Sequence, residues 1–131
     1  MSLQPATGYA FNRTRNAYLA THLSVAETHW SRLRGLMCKD AANFPAGNGL
    51  WIIPSRGVHT LAMKFPIDVL YLDKNKFVVH VEQNLKPWRM ARVSLRTVSV
   101  LELPDNTLQS SGTAVGDEIE IAWGQPEAST A

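Results

Sequence analysis

A single cysteine, Cys38, is all the thiol in this chain, so no internal disulfide framework and no Cys-x-x-Cys zinc or redox motif is open to it. Set just after a stretch of helical pattern, it reads as a small apolar residue; a nucleophilic role would need a base and a lowered pKa. No apolar run approaches the roughly 18 residues of a membrane span, and residues 1–21 lack the basic start and long apolar segment of a secretory leader. The expected location is therefore cytoplasmic, although Met1-Ser2-Leu3 also fits an artificial start with a natural leader trimmed away. Charge excess is small as well. A formal net charge of +2 calls for neither nucleic acid nor an anionic membrane as partner. The glycines are dispersed, so no phosphate-cradling loop exists, and Ser55, Ser94 and Ser99 lack the Gly-x-Ser-x-Gly setting of a nucleophile elbow. His22, His29, His59 and His80 form no His-x-His or His-x-x-x-His pair, and Asp68 and Asp73 leave their strand on opposite faces, so no metal site and no cofactor are expected.

What the chain does have is enough apolar sequence for one domain. At 131 residues with 45% hydrophobic content, it buries roughly two-thirds of its unfolded surface on folding. Residues 1–16 are polar and turn-rich and read as a frayed segment, residues 17–124 as the domain, and residues 125–131 as a mobile tail. Residues 17–23 form a plausible strand. Ser24-x-x-Glu27 is a capping-box pattern that predicts a helix start, with Trp30, Leu33 and Met37 on one face and Gly35 as its stop. Strands follow at 50–53, 67–72, beyond a turn at Lys74 and Asn75, at 97–103 and at 117–123. With that tip, Leu72 faces Phe77, Tyr71 faces Val78 and Val69 faces His80. The pattern predicts a mainly β fold of six or seven strands with one early helix.

The most informative stretch is 57–73. It sets Asp68 inside a strand whose faces, Ile67, Val69, Tyr71 and Leu70, Leu72, are otherwise apolar. An ionised carboxylate kept from water costs several kcal/mol unless donors or a cation surround it, and His59, Thr60 and Lys64 lie just upstream.

Several linked motifs then resemble one family. Arg34-Gly35-Leu36-Met37, Gly49-Leu50, His59-Thr60-x-x-Met63-x-x-Pro66-Ile67-Asp68-Val69-x-x-x-Asp73, Leu101-Glu102-Leu103-Pro104 and Gly116-Asp117 are similar, in order and spacing, to the motifs of domain of unknown function 192 (DUF192). The resemblance runs from about residue 21 to 121. It implies a compact, mainly antiparallel β-sandwich or barrel-like fold with a short N-terminal helix packed on it, and no established reaction. It also implies that some relatives are encoded near secretion or pilus genes. Two departures stand out: Asp105-Asn106 replaces a small residue and Gly, where Asn can still hold a left-handed turn, and Leu61-Ala62 replaces an aromatic or charged residue.

Three functional readings follow. The first is a binding module for a small polar ligand or a protein partner, using a rim of Arg34, His59, Thr60, Met63 and Asp68, although Met63 is as readily explained by packing. The second is a small hydrolase or isomerase in which His59 acts as general base oriented by Asp68. The third is an accessory component of a secretion or pilus assembly, with the chain a monomer or weak dimer. Against the first two stands a bland alternative, in which Asp68 accepts hydrogen bonds from Thr60, His59 or backbone amides and only fixes the fold. Lys86, Arg89, Arg92 and Arg96 with Trp88 form the one basic cluster, and nucleic acid binding there is disfavoured by the modest total charge. Asp73 and Asp117 adjoin turns and read as caps of backbone amides, while alternation sends Glu102 to the opposite face from Leu101 and Leu103, normally the solvent, though a cleft also qualifies, with no role assigned.

Overall fold

The computed structural model describes residues 7–27, 41–56, 64–87 and 95–126. Seven strands form one sheet: β1 Gly8–Asn12, β2 Ala17–Ala26, β3 Asn48–Ile52, β4 Ile67–Leu72, β5 Val78–Leu85, β6 Ser99–Pro104 and β7 Ile119–Trp123, in the order β5-β4-β6-β3-β2-β1-β7. All neighbours are antiparallel except β2 and β3, which run parallel. The sheet curls until its two outer strands meet at one end. There Phe77 bridges Glu118, the Val78 amide donates to Asp117 O at 2.9 Å and the Ile119 amide donates to Lys76 O at 2.9 Å. The expected barrel-like outline is therefore present as a half-barrel, and the strands among the described residues belong to one sheet.

Alternation along the strands builds two apolar layers. Leu70, Leu72 and Val78 from one end of the strand order pack with Ala10 and Ile119 from the other end, together with Leu19, Leu23, Leu101 and Leu103. Residues so far apart in the order can meet only on the concave side of the curl. On the convex side, Ile67, Val69, Tyr71, Val100 and Ile52 are covered by Phe44 and Phe65, whose ring centroids lie 5.9 Å apart. Strands β4 and β6 sit inside the order and are buried at every position, so each contributes apolar side chains to both layers, about 1.5–3 kcal/mol per large side chain, and each also carries a carboxyl into the interior, Asp68 and Glu102. Gly49 keeps the parallel pair close: a Cβ there would come within 2.9 Å of the Ala20 Cβ and 3.1 Å of Leu23 Cδ1. A short helix, α1 (Thr107–Ser111), follows β6 and drops Leu108 into the concave layer.

Three differences from the sequence expectations have physical causes. Gly8–Asn12, assigned above to the frayed segment, is a strand paired on both sides; its inward residues are Gly8, Ala10 and Asn12, too small and polar to show an apolar alternation. No helix starts at Ser24. Ser24, Val25 and Ala26 continue β2 and pair with Leu50, Trp51 and Ile52, a tertiary ladder that outweighs a local cap of about 1 kcal/mol. The remainder of that expected helix, with Trp30, Leu33, Gly35 and Met37, lies outside the described residues, and the short helix that is described comes late in the chain. Finally, the β4–β5 hairpin pairs Leu72 with Val78, Tyr71 with His80 and Val69 with Glu82, because Lys76 takes a left-handed φ of 65° and two bulges each shift the ladder.

Candidate functional site

Asp68 is buried at 1% exposure, as its strand requires, and the pleat puts it on the concave face. Its Oδ1 accepts the Asn84 amide at 2.9 Å and its Oδ2 accepts the Leu108 amide at 2.9 Å. Both donors are ones the backbone cannot satisfy for itself. The ladder slips between the pairs Ile67–Leu85 and Val69–Glu82, and Asn84, at φ 52°, is the bulge residue whose N–H is released from regular pairing. Leu108 stands in the first turn of α1, where amides have no intrahelical acceptor, and the residue before that helix, left-handed Asn106, supplies no side-chain cap. One carboxylate thus ties a bulge and a helix start to the centre of the sheet. Burial raises the Asp68 pKa; the amides of Asn84, Leu108 and Thr107 pull against it and the Asp105 charge adds to it, with a net rise. This arrangement fits the architectural alternative set out above.

The carboxyl that is not satisfied is Glu102. It sits at the middle of β6, directly across from Leu50 on β3 and Val69 on β4, with Val100 before it on the same convex face. The residue is 3% exposed and its Oε2 has no hydrogen-bond partner among the described residues. Burial pushes its pKa up to about 8, so at neutral pH it is mainly a neutral acid, able to donate one hydrogen bond and accept others. Polar groups lie further along the same face: Glu82 pairs with Val69, and His80 Nε2 is 2.9 Å from Glu82 Oε1. The His80 ring meets Tyr71 edge-on at 5.0 Å and 88°. Sequence alternation set Glu102 opposite Leu101 and Leu103, as observed, but read that face as normally the solvent, and its burial corrects this. It gave no sign that this face is covered, although the position of the Leu-Glu-Leu run in a doubly buried strand is the signal that could have done so.

A third carboxyl, Asp117, belongs to the closed end of the half-barrel. Its Oδ2 accepts from Asn12 Nδ2 at 2.9 Å, from the Ala114 amide at 3.0 Å and from Arg15 Nε at 3.0 Å, while Asn12 Nδ2 also donates to Thr113 Oγ1 at 2.9 Å. Burial raises its pKa, but Asn12, the Ala114 amide and Arg15 more than offset that, and the carboxyl is held below its usual range. The turn-capping role expected of Asp117 is present, extended by two side chains from the β1–β2 turn region. Asp73 caps its own turn as expected, its Oδ1 accepting the amides of Asn75 and Phe77 at 2.9 and 3.0 Å.

Of the rim predicted from sequence, only Asp68 is described; Arg34, His59, Thr60 and Met63 lie outside the described residues, as do Cys38 and, from the basic cluster, Trp88, Arg89 and Arg92. Among the described residues no three His, Cys, Asp or Glu side chains gather as a metal would require, and no helix is long and apolar enough to cross a membrane.

A curled mixed sheet, with carboxyls buried at its centre and a short helix capped from β4, defines a class of small β-rich proteins. Two solved structures share its fold: a protein of unknown function from Novosphingobium aromaticivorans (TM-score 0.75, 16% identity, 91% of each chain covered) and a proposed transcription regulator from Sinorhizobium meliloti 1021 (TM-score 0.73, 19% identity, covering 92% of this chain and 95% of that one). The chain belongs to the DUF192 family, described as "Uncharacterized ACR", whose model matches residues 10–121. UPF0127 proteins of two archaea are similar over 114 residues, or 83% of this chain: that of Pyrococcus horikoshii is 30% identical with 95% of its length covered, and that of Thermococcus sibiricus 27% identical with 71% covered.

Proposed function

We propose that this member of an uncharacterised family is a small binding module that meets a polar ligand on the convex face of the half-barrel, with Glu102 making the central polar contact. One observation carries the reading: Glu102 Oε2 is buried and has no hydrogen-bond partner among the described residues, whereas both oxygens of Asp68 are engaged by amides of their own chain. Leaving a buried polar atom unmet is unfavourable by about 1–3 kcal/mol, a sacrifice of stability that a ligand can reverse by bonding to it. Through Oε2 a neutral acid can donate or accept one hydrogen bond, which complements an amide, a carboxylic acid or an alcohol. The rim of Arg34, His59, Thr60 and Met63 expected around Asp68 is a separate proposal, whose members other than Asp68 lie outside the described residues. The His59–Asp68 dyad and the assembly reading have no favouring observation.

The test is a thermal-shift screen of the full chain against small amides, carboxylic acids and alcohols at pH 6 and pH 9, repeated on Glu102→Leu. A stabilising compound whose effect is lost at pH 9 and in Glu102→Leu supports the reading. Stabilisation that survives both changes rules Glu102 out as the contact.

A further inference from the structure

Three strands round the sheet from β6, the convex face of β1, β2 and β7 carries a second feature, separate from Glu102. Tyr9 and Phe11 alternate outward from β1; Phe11 pairs with Tyr18 on β2 and with Glu120 on β7. The three rings are steeply inclined, with Phe11 and Tyr18 centroids 4.8 Å apart at 64° and Tyr9 and Tyr18 centroids 5.9 Å apart at 68°. Rings set at such angles form walls meeting at a corner. Together with Glu120 they line a groove of about 340 Å³, within the range of small-molecule sites.

From this we infer that the groove of Tyr9, Phe11, Tyr18 and Glu120 binds the quaternary ammonium group of a small solute free in water. The chemistry of the lining selects it. Aromatic faces carry negative quadrupole charge and attract a cation within about 6 Å of a ring centroid, and alkylated ammonium groups are the best fit because they shed water easily. Among the described residues that line the groove, the charged group is a carboxylate. Glu120 accepts from Tyr9 Oη at 3.4 Å and has the Arg13 guanidinium 3.6 Å away. That ion pair is long and its partners are half-exposed, so it holds Arg13 only loosely and shows that the carboxylate draws a cation to this spot. An anionic ligand would be repelled, and a neutral polar ligand would find too few donors and acceptors.

The experiment follows aromatic ring resonances of the full chain by NMR during titration with tetramethylammonium and choline, with 3,3-dimethyl-1-butanol as the uncharged analogue of choline's shape. The expected result is saturable shifts of Tyr9, Phe11 and Tyr18 in the millimolar range for both cations, and none for the alcohol. Glu120→Gln and Tyr18→Leu, each at a half-exposed position that keeps the fold, should weaken binding about five-fold or more. Shifts as large with the neutral alcohol, absence of shifts with the cations, or unchanged affinity in both variants overturns the inference. Retention of the chain on phosphatidylcholine vesicles without binding of free choline overturns the choice of a soluble ligand.

Discussion

Replacing Glu102 by Gln should remove most of the protein's loss of stability between about pH 5 and pH 8. In the folded chain the Glu102 pKa is about 8, against an ordinary value of 4.5. Between those values the folded state holds a proton that the unfolded state has lost. Stability therefore falls as pH rises, at about 1.4 kcal/mol per pH unit. Over the full window the loss approaches an upper limit of about 5 kcal/mol, a large part of the 5–15 kcal/mol that holds a typical domain together. Glu102→Gln keeps the size and neutrality of the protonated side chain, so the variant should match the wild type near pH 5 and exceed it by several kcal/mol at pH 8.5. A fall as pH rises above the unfolded value of 3.8 should persist in the variant, because the Asp68 pKa is also raised. Urea unfolding at half-unit pH steps, read by tryptophan fluorescence, measures both curves. Parallel curves from pH 5 to 8.5 would refute the reasoning, since they would mean that Glu102 ionises in the folded state as easily as in water.

Asp68→Ala removes the acceptor for two buried amides and should destabilise the fold by about 3–5 kcal/mol; Asp68→Asn, which keeps one acceptor, should cost about half as much, and amide exchange at Leu108 and Asn84 should quicken in both. Comparable stability of all three proteins would contradict the role given to Asp68. Gly49→Val places atoms against Ala20 and Leu23 and should cost about 1–3 kcal/mol by calorimetry, where an unchanged melting temperature would show that β2 and β3 are not so close. Asp117 has a lowered folded pKa, so its contribution is fully present above the unfolded value of 3.8 and disappears as pH falls through the folded value. Acid unfolding below pH 4 should accordingly be shallower in Asp117→Asn than in the wild type, while at pH 7 the variant is less stable.

How far the sequence could be read depended on whether a residue's environment was local. Strand β4 was legible to the residue, Ile67–Leu72, because Pro66 opens it and both its faces are apolar. The Asp73 cap was legible because it is built within a few residues, and the left-handed turn at Asn106, φ 74°, through the family resemblance, in which Asn stands where Gly would hold that turn. The burial of Asp68 was legible too, but its partners were not: the amides of Asn84 and Leu108 lie 16 and 40 residues away, and no side-chain pattern announces a released backbone N–H. Ser24-x-x-Glu27 is a sound local cap that lost to pairing with β3. The register of β5 hinged on two bulges, which leave little mark in an apolar run. Glu102 was placed on the correct face, yet whether that face is solvent or core depends on what covers it.

The most direct measurement is a pH titration of the Glu102 side-chain carboxyl by carbon NMR, with the resonance assigned by its disappearance in Glu102→Gln. A carboxyl buried in the convex face should keep its protonated chemical shift through pH 6 and move only near pH 8. A midpoint near 4.5 would place that carboxyl in water, and the site proposed around it would have no buried acid on which to rest.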